Sequence, residues 1–174
     1  MTGVRRLLSF PHPLNEKAAR VVAGVVLALA VLTLATGWYW LLAVLAYGFL
    51  ARVLTGPKLS PLGRVASRVI APRLGPAKYV SGPPKRFAQG IGALITTAAA
   101  LAALAFDLRS VADALLGVLI VAAGLESVFG FCVGCRVFGL LMRAGLVPER
   151  VCADCADIWS RPGMRRPDWA AENP

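Results

Sequence analysis

The longest uncharged stretch of the chain runs from Val21 to Ala51, 31 residues without Asp, Glu, Lys or Arg. A single membrane-spanning helix takes about 20 apolar residues, so this stretch is too long for one span and short for two spans with a loop. A tight reversal at Gly37 resolves the conflict, because glycine readily adopts the left-handed conformation that ends helices. The stretch therefore predicts a hairpin of two membrane-spanning helices, with Asn15 as the predicted N-cap of the first helix.

Composition agrees with a membrane protein. The chain is 57% hydrophobic and 16% charged, with a mean hydropathy of +0.67, whereas about a quarter of the residues are charged in a typical soluble domain. Two later stretches, beginning at Phe87 and Ala114, are also long and apolar. We predict an all-α integral membrane four-helix bundle made of two transmembrane hairpins, with spans at about 18–36, 38–53, 87–106 and 114–131.

The positive charges predict the orientation of the bundle. Of the 19 Lys and Arg residues, all except Arg109 lie in or next to the N-terminal arm, the loop between the hairpins or the C-terminal tail. Cytoplasmic segments carry such an excess, so we expect a multi-pass protein of the bacterial inner (plasma) membrane with both termini cytoplasmic. The predicted divisions are an N-terminal cytoplasmic arm (1–14), a four-span transmembrane domain (15–146) with a basic cytoplasmic loop (54–86), and a cysteine-containing cytoplasmic tail (147–174).

The same distribution bears on the partners of the protein. A net charge of +10 and a pI near 10.4 are typical of nucleic-acid-binding proteins. Here the charges follow the membrane topology, which explains them without a nucleic acid. The expected partner is the lipid bilayer, and no nucleic acid is expected.

Two short segments predict helices outside the spans. Ser60 and Pro61 have the residue types of a helix N-cap and first helical position, and Pro72 ends that helix. Its apolar positions share one face, so it either lies on the anionic inner leaflet as a cytoplasmic interfacial helix or packs on the bundle. This apolar face consists of Leu62, Val65, Ala66, Val69 and Ile70.

The segment Arg136–Ala144 predicts a second amphipathic or interfacial helix.

The four cysteines form two Cys-x-x-Cys pairs, Cys132 with Cys135 and Cys152 with Cys155. The predicted topology places both pairs in the cytoplasm, where ordinary thiols stay reduced, so metal binding or reversible redox chemistry is expected. Sixteen residues separate the pairs, a spacing typical of a four-cysteine zinc site. Zinc is therefore the alternative cofactor, held by all four cysteines in a closed structural site.

Redox chemistry requires a stabilised thiolate, which a helix N-terminus or a neighbouring cation provides. Arg136 is the neighbouring cation in the sequence. If Gly130 and Gly134 break the chain, Cys132 begins a new helix and its pKa falls; if the fourth span continues, its negative end opposes the thiolate. A relay of electrons or sulfane sulfur between the two pairs and four inert cysteines remain alternatives.

Glu126 is an acidic residue inside the fourth predicted span. A carboxylate in a span is costly and usually serves a partner, a pathway or a buried pair. Glu126 is either a proton relay for the thiols, part of a small-solute transport path, or a structural group that is hydrogen-bonded or paired with an arginine. The candidate catalytic residues are Cys132, Cys135, Arg136 and Glu126.

Five short motifs recur along the chain as a recognisable set: Phe129-Gly130-Phe131-Cys132-Val133-Gly134-Cys135, Asn15 with Arg20, Ser60-Pro61, Arg73-Leu74-Gly75 and Arg86-Phe87-Ala88-Gln89. Together they resemble a bacterial membrane family catalogued as domain of unknown function 4395, over roughly Pro13 to Leu146. The resemblance implies a four-helix integral membrane protein, and thiol or sulfur chemistry at Cys132 and Cys135, because some members are encoded near thioredoxin-like or sulfurtransferase proteins.

We therefore expect thiol redox chemistry or sulfur relay at the cytoplasmic face, with a soluble partner that the resemblance suggests is thioredoxin-like or a sulfurtransferase. A membrane protein with a structural zinc site and a small-solute transporter that uses Glu126 are the alternatives. The sequence leaves open whether the protein is an enzyme.

Overall fold

A computed structural model describes residues 14–148 and residue 151, and this part of the chain is mostly helical. The long helices are α1 (Glu16–Thr36), α2 (Leu41–Thr55), α3 (Gly82–Leu104) and α4 (Arg109–Phe129), and α5 (Val133–Arg143) follows them. Between α2 and α3, the loop helix runs through Pro61–Val65, a π-helical turn Ala66–Ile70, and Ala71–Arg73. Two short strands, β1 (Leu14–Asn15) and β2 (Tyr79–Val80), complete the described elements.

Three helices, α1, α3 and α4, are long and apolar enough to cross a membrane, and α2 is a shorter apolar helix of 15 residues. By length and composition these helices indicate a multi-pass membrane protein. Their ends differ from the predicted spans. The helix over the third span begins at Gly82 because Pro83 and Pro84 fit its first turn, where a missing N–H costs nothing.

The turn between α1 and α2 delays the second helix. Gly37 has φ of +69° and its N–H donates to the Thr33 carbonyl at 2.9 Å, which confirms the predicted reversal. The aromatic residues 38–40 form the turn itself, since the Leu41 N–H donates to the Trp38 carbonyl at 3.0 Å. For this reason α2 begins at Leu41 rather than at residue 38.

Two predicted helix caps are confirmed. The Asn15 side chain accepts a hydrogen bond from the Lys17 N–H at 3.0 Å, and the Ser60 hydroxyl accepts one from the Gly63 N–H at 3.2 Å. Each satisfies an N–H that a helix start leaves without an intrahelical partner.

The four long helices pack mainly as neighbours α2 on α3, α3 on α4, and α4 on α1. Their core consists largely of alanine and leucine, and small residues let helices approach closely in a membrane. The closest approach lies between α2 and α3, where a Cβ at Gly92 would overlap the ring of Phe49.

The loop helix packs on α1. Of the residues predicted to form its apolar face, Ala66 is buried, whereas Val65 and Val69 are exposed. The π-helical turn adds a residue to the helical turn and so shifts the positions that follow it.

A two-residue antiparallel pairing of β1 with β2 ties the start of α1 to the end of the basic loop. Next to it, Lys78 forms an ion pair with Glu16 at 3.0 Å. The prediction of an all-α fold was wrong at this pairing, which carries no alternating pattern long enough to be read from the sequence.

The contact at Gly92 generates a prediction with a control on the same helix. Gly92→Ala forces its new methyl group into the Phe49 ring and is expected to destabilise the bundle by about 1–3 kcal/mol. Gly90→Ala adds a methyl group to open space and is expected to be neutral or to stabilise α3 by up to about 1 kcal/mol. Thermal unfolding of both variants in detergent measures the difference, and equal melting temperatures would contradict the proposed close packing.

Candidate functional site

The chain breaks between α4 and α5, directly before the first cysteine. Gly130 has φ of +68° and ends α4, and Cys132 is the N-cap residue of α5. Of the two alternatives drawn from the sequence, the broken chain is the one observed, although the break lies at Gly130 alone. Gly134 lies inside α5, where a Cβ would stand 2.6 Å from the Ala88 Cβ. The glycine therefore lets α5 approach α3.

Cys132 and Cys135 face each other across the first turn of α5. Both are free and half-buried, and the thiols are close enough to shift each other's pKa. We call the end of the bundle that carries them the cysteine end. The start of a helix favours a negative charge, so the position suits a thiolate.

The two thiols have opposite pKa shifts. The hydrogen bond from the Cys135 thiol lowers the pKa of Cys132, with further help from the charge of Lys85, against burial and the charge of Glu126, which raise it. The same hydrogen bond, together with burial, raises the pKa of Cys135. The opposite shifts therefore favour Cys132 over Cys135 as the thiol that ionises first.

Arg136, the cation suggested by the sequence, lies elsewhere. Its guanidinium stacks over the ring of Phe131, 5.2 Å from the ring centroid. The cation whose charge stabilises the Cys132 thiolate is Lys85 on α3.

Lys85 also pairs with Glu126. Its Nζ lies 2.5 Å from the Glu126 Oε1, and the two side chains are 9% and 21% exposed. Glu126 is thus paired with a lysine, where the sequence suggested a hydrogen-bonded acid or an arginine partner. Lys85 was not a predicted site residue, because it was assigned to the basic loop. The Pro83-Pro84 pair before it is the sequence signal that the helix begins earlier.

Arg52 is a second buried cation at this end, and it was not among the predicted site residues. It is 5% exposed, because α2 continues to Thr55 and carries Arg52 into the bundle. Its Nε donates to the Gln89 Oε1 at 2.8 Å, and its guanidinium lies 4.6 Å from the Phe49 ring centroid. Within the described residues, its Nη2 has no hydrogen-bond partner.

Two cavities reach the cluster formed by Cys132, Glu126, Lys85 and Arg52. The first, of about 150 Å³, lies among α1, α3 and α4, is lined mainly by apolar side chains, and ends at Glu126 and Cys132. The second, of about 50 Å³, is lined by Arg52 and Lys85. Gln89 contributes to the walls of both cavities and so lies between them.

The end of α4 is held by an arginine from α1. The Arg20 Nε donates to the Ser127 carbonyl at 3.3 Å, and its Nη2 donates to the Val128 carbonyl at 2.6 Å. These carbonyls belong to the last turn of α4, where a cation is favourable. Arg20 thereby supports the turn from which the cysteine segment leaves the bundle.

The predicted zinc site cannot be completed within the part of the chain that the structure describes. Cys152 and Cys155 lie outside the described residues, and among the described residues no group of three or more His, Cys, Asp or Glu side chains comes together to hold a metal.

Comparison with known proteins connects this geometry to a family. A family model described as a domain of unknown function (DUF4395) matches residues 14–143, which include α1 to α5 and both candidate cysteines. No curated protein and no solved structure matches the chain. The match confirms the resemblance drawn from the sequence motifs, and the chain belongs to the DUF4395 family.

Proposed function

We propose that this protein is a thiol oxidoreductase of the bacterial inner membrane, in which Cys132 and Cys135 exchange electrons with a soluble protein at the cysteine end. The observation that carries the proposal is the position of the two free, half-buried cysteines together at the start of α5. The thiolate is the form of cysteine that attacks disulfides. Cys132 is therefore the attacking residue, and Cys135 completes the exchange.

The exchange runs through a mixed disulfide. The Cys132 thiolate attacks one sulfur of the partner's disulfide, and the partner's other sulfur leaves as a thiolate. Cys135 then loses its proton and attacks the Cys132 sulfur, which releases the partner's second sulfur and leaves a Cys132–Cys135 disulfide. Two electrons pass to the partner, and the protons given up by the two cysteines balance the two thiols that it gains.

Glu126 is the group that accepts the Cys135 proton in the second step. Its carboxylate lines the same cavity as Cys132, and its charge acts on both thiols. A base must lie within hydrogen-bond reach of the proton or one water away. The ion pair with Lys85 orients this carboxylate.

The partner is a soluble thioredoxin-like protein, by the chemistry of the exchange and by the association that the family resemblance implies. Cys132 and Cys135 lie in and beside the first turn of α5, outside the long helices, and both are only half-buried. A folded partner approaching from the aqueous phase therefore has access to the pair.

The topology follows from the ends of the helices. All four long helices act as spans; α2, about 22 Å long at 1.5 Å per residue, crosses a core of about 30 Å with the help of the aromatic turn 38–40. Within the described residues, Arg109 is the one basic residue at the opposite end. The cysteine end is therefore cytoplasmic, as are both termini, and the loop helix and α5 lie at the membrane interface.

Alkylation kinetics test the assignment of Cys132 as the stabilised thiolate. In a background of Cys152→Ser and Cys155→Ser, Cys135→Ala removes the thiol donor and Lys85→Met removes the cation. Both changes are expected to raise the pKa of Cys132 and slow its alkylation by iodoacetamide severalfold at pH 7, because less thiolate is present. Mass spectrometry across pH 5–10 measures the rate at Cys132.

The matched control is Arg136→Met, which removes a cation that stacks on Phe131 instead of acting on the thiol. Its pH profile is expected to follow that of the parent protein. A profile that shifts with Arg136→Met and stays fixed with Lys85→Met would overturn the electrostatic assignment.

Labelling with a membrane-impermeant maleimide tests the topology separately. In the same Cys152→Ser, Cys155→Ser background, Cys132 and Cys135 are expected to react in inverted membrane vesicles and to remain unlabelled in intact spheroplasts. The positive control is a cysteine placed at exposed Asp107, which is expected to show the opposite pattern. Labelling of Cys132 from the periplasmic side would rule out exchange with a cytoplasmic partner.

A further inference from the structure

Arg52 is a buried cation that no carboxylate contacts within the described part of the chain. An arginine side chain remains protonated in proteins, and a buried charge is unfavourable unless it is paired and hydrogen-bonded. The hydrogen bond that Arg52 donates goes to the neutral amide of Gln89, and its ring contact is with Phe49. In the described structure, Nη2 is buried and makes no hydrogen bond.

The nearest carboxylate does not fill this gap. Glu126 is engaged by Lys85 at 2.5 Å, so its charge is already matched by a cation from α3. In the described structure the charge of Arg52 is therefore the one that no carboxylate contacts. Whatever occupies the space beside Arg52 is favoured if it carries a negative charge and accepts hydrogen bonds.

The space beside Arg52 is the smaller of the two cavities, about 50 Å³ between α1, α2, α3 and the loop helix. Arg52, Lys85, Gln89 and Ser67 supply its polar wall. The remaining wall is small or apolar, and at Gly63 a Cβ would stand only 3.0 Å from the Pro57 Cα. One water needs about 10–15 Å³ of such a cavity, so this one has room for a small ion and too little for a nucleotide.

We infer that this cavity is a binding site for a small monovalent anion of halide size, held between the Arg52 guanidinium and the Lys85 ammonium. The anion supplies the acceptor that Nη2 lacks and pairs with the charge of Arg52. The site lies across Gln89 from the cavity of the thiols, so the inference stands independently of the proposed redox function.

Anion-dependent thermal stability tests the inference on the full chain in detergent. Sodium bromide is titrated against sodium gluconate at constant ionic strength, and unfolding is followed by tryptophan fluorescence. The melting temperature is expected to rise saturably with bromide, because a ligand that binds only the folded state stabilises it. Gluconate is too large for the cavity and is expected to have no such effect.

Substitutions locate the site. Arg52→Gln is expected to weaken bromide binding by roughly tenfold or more, since a hydrogen bond to a charged group is lost. Arg52→Lys keeps the positive charge without Nη2 and provides the same comparison if the glutamine variant does not fold. Arg64→Gln removes an exposed arginine of the loop helix and is expected to retain the bromide effect.

Anomalous diffraction from crystals grown in bromide gives a direct readout, with a peak expected in the cavity next to Arg52. The inference is overturned if bromide and gluconate give the same melting temperature. It is equally overturned if Arg52→Gln and Arg52→Lys keep the full bromide effect, which would place the ion elsewhere.

Discussion

The ion pair between Lys85 and Glu126 joins α3 to α4 at the depth where the bundle meets the cysteine segment. Removing one member of a buried pair strands the other charge, so the two helices are held in register at this point. The backbone of Glu126 also ends α4, because its carbonyl accepts the Gly130 N–H at 3.1 Å. One residue therefore positions α3 through its side chain and sets the turn before Cys132 through its main chain.

The cysteine segment is held from three further directions. Arg20 binds the last carbonyls of α4, Gly134 brings α5 against Ala88 of α3, and the Phe87 and Phe138 rings pack with their centroids 5.5 Å apart. The first turn of α5 is consequently fixed relative to the ion pair. This arrangement allows the hydrogen bond from Cys135 and the charge of Lys85 to act together on one thiol.

Local signals predicted much of the fold. Gly37 ended a helix, and Asn15 and Ser60 capped the helices that follow them, because these effects depend on a few neighbouring residues. The break before Cys132 was one of two alternatives, since a glycine in an apolar run permits a break without requiring it. The two-residue strand pairing and the π-helical turn are too short to produce a periodic pattern in the sequence, so they were not predicted.

The charge pattern of the sequence alone could not predict which cations lie at the candidate site. Lys85 and Arg52 lie at the borders of apolar runs, where basic residues are normally assigned to a loop, and only the true helix ends carry them into the bundle. Arg136 was favoured because it adjoins Cys135 in sequence, yet its side chain turns to Phe131. Adjacency along the chain was a poor guide, because electrostatic action depends on distance in space.

The central claim is that Cys132 and Cys135 form a reversible redox pair, and a redox titration tests it most directly. The Cys152→Ser, Cys155→Ser protein in lipid nanodiscs is equilibrated in buffers with defined ratios of reduced to oxidised glutathione. Its free thiols are then alkylated and counted by mass spectrometry. One reversible two-electron transition is expected between the dithiol and an intramolecular Cys132–Cys135 disulfide. Thiols that stay reduced across the series, or that form only disulfides between chains, would contradict it.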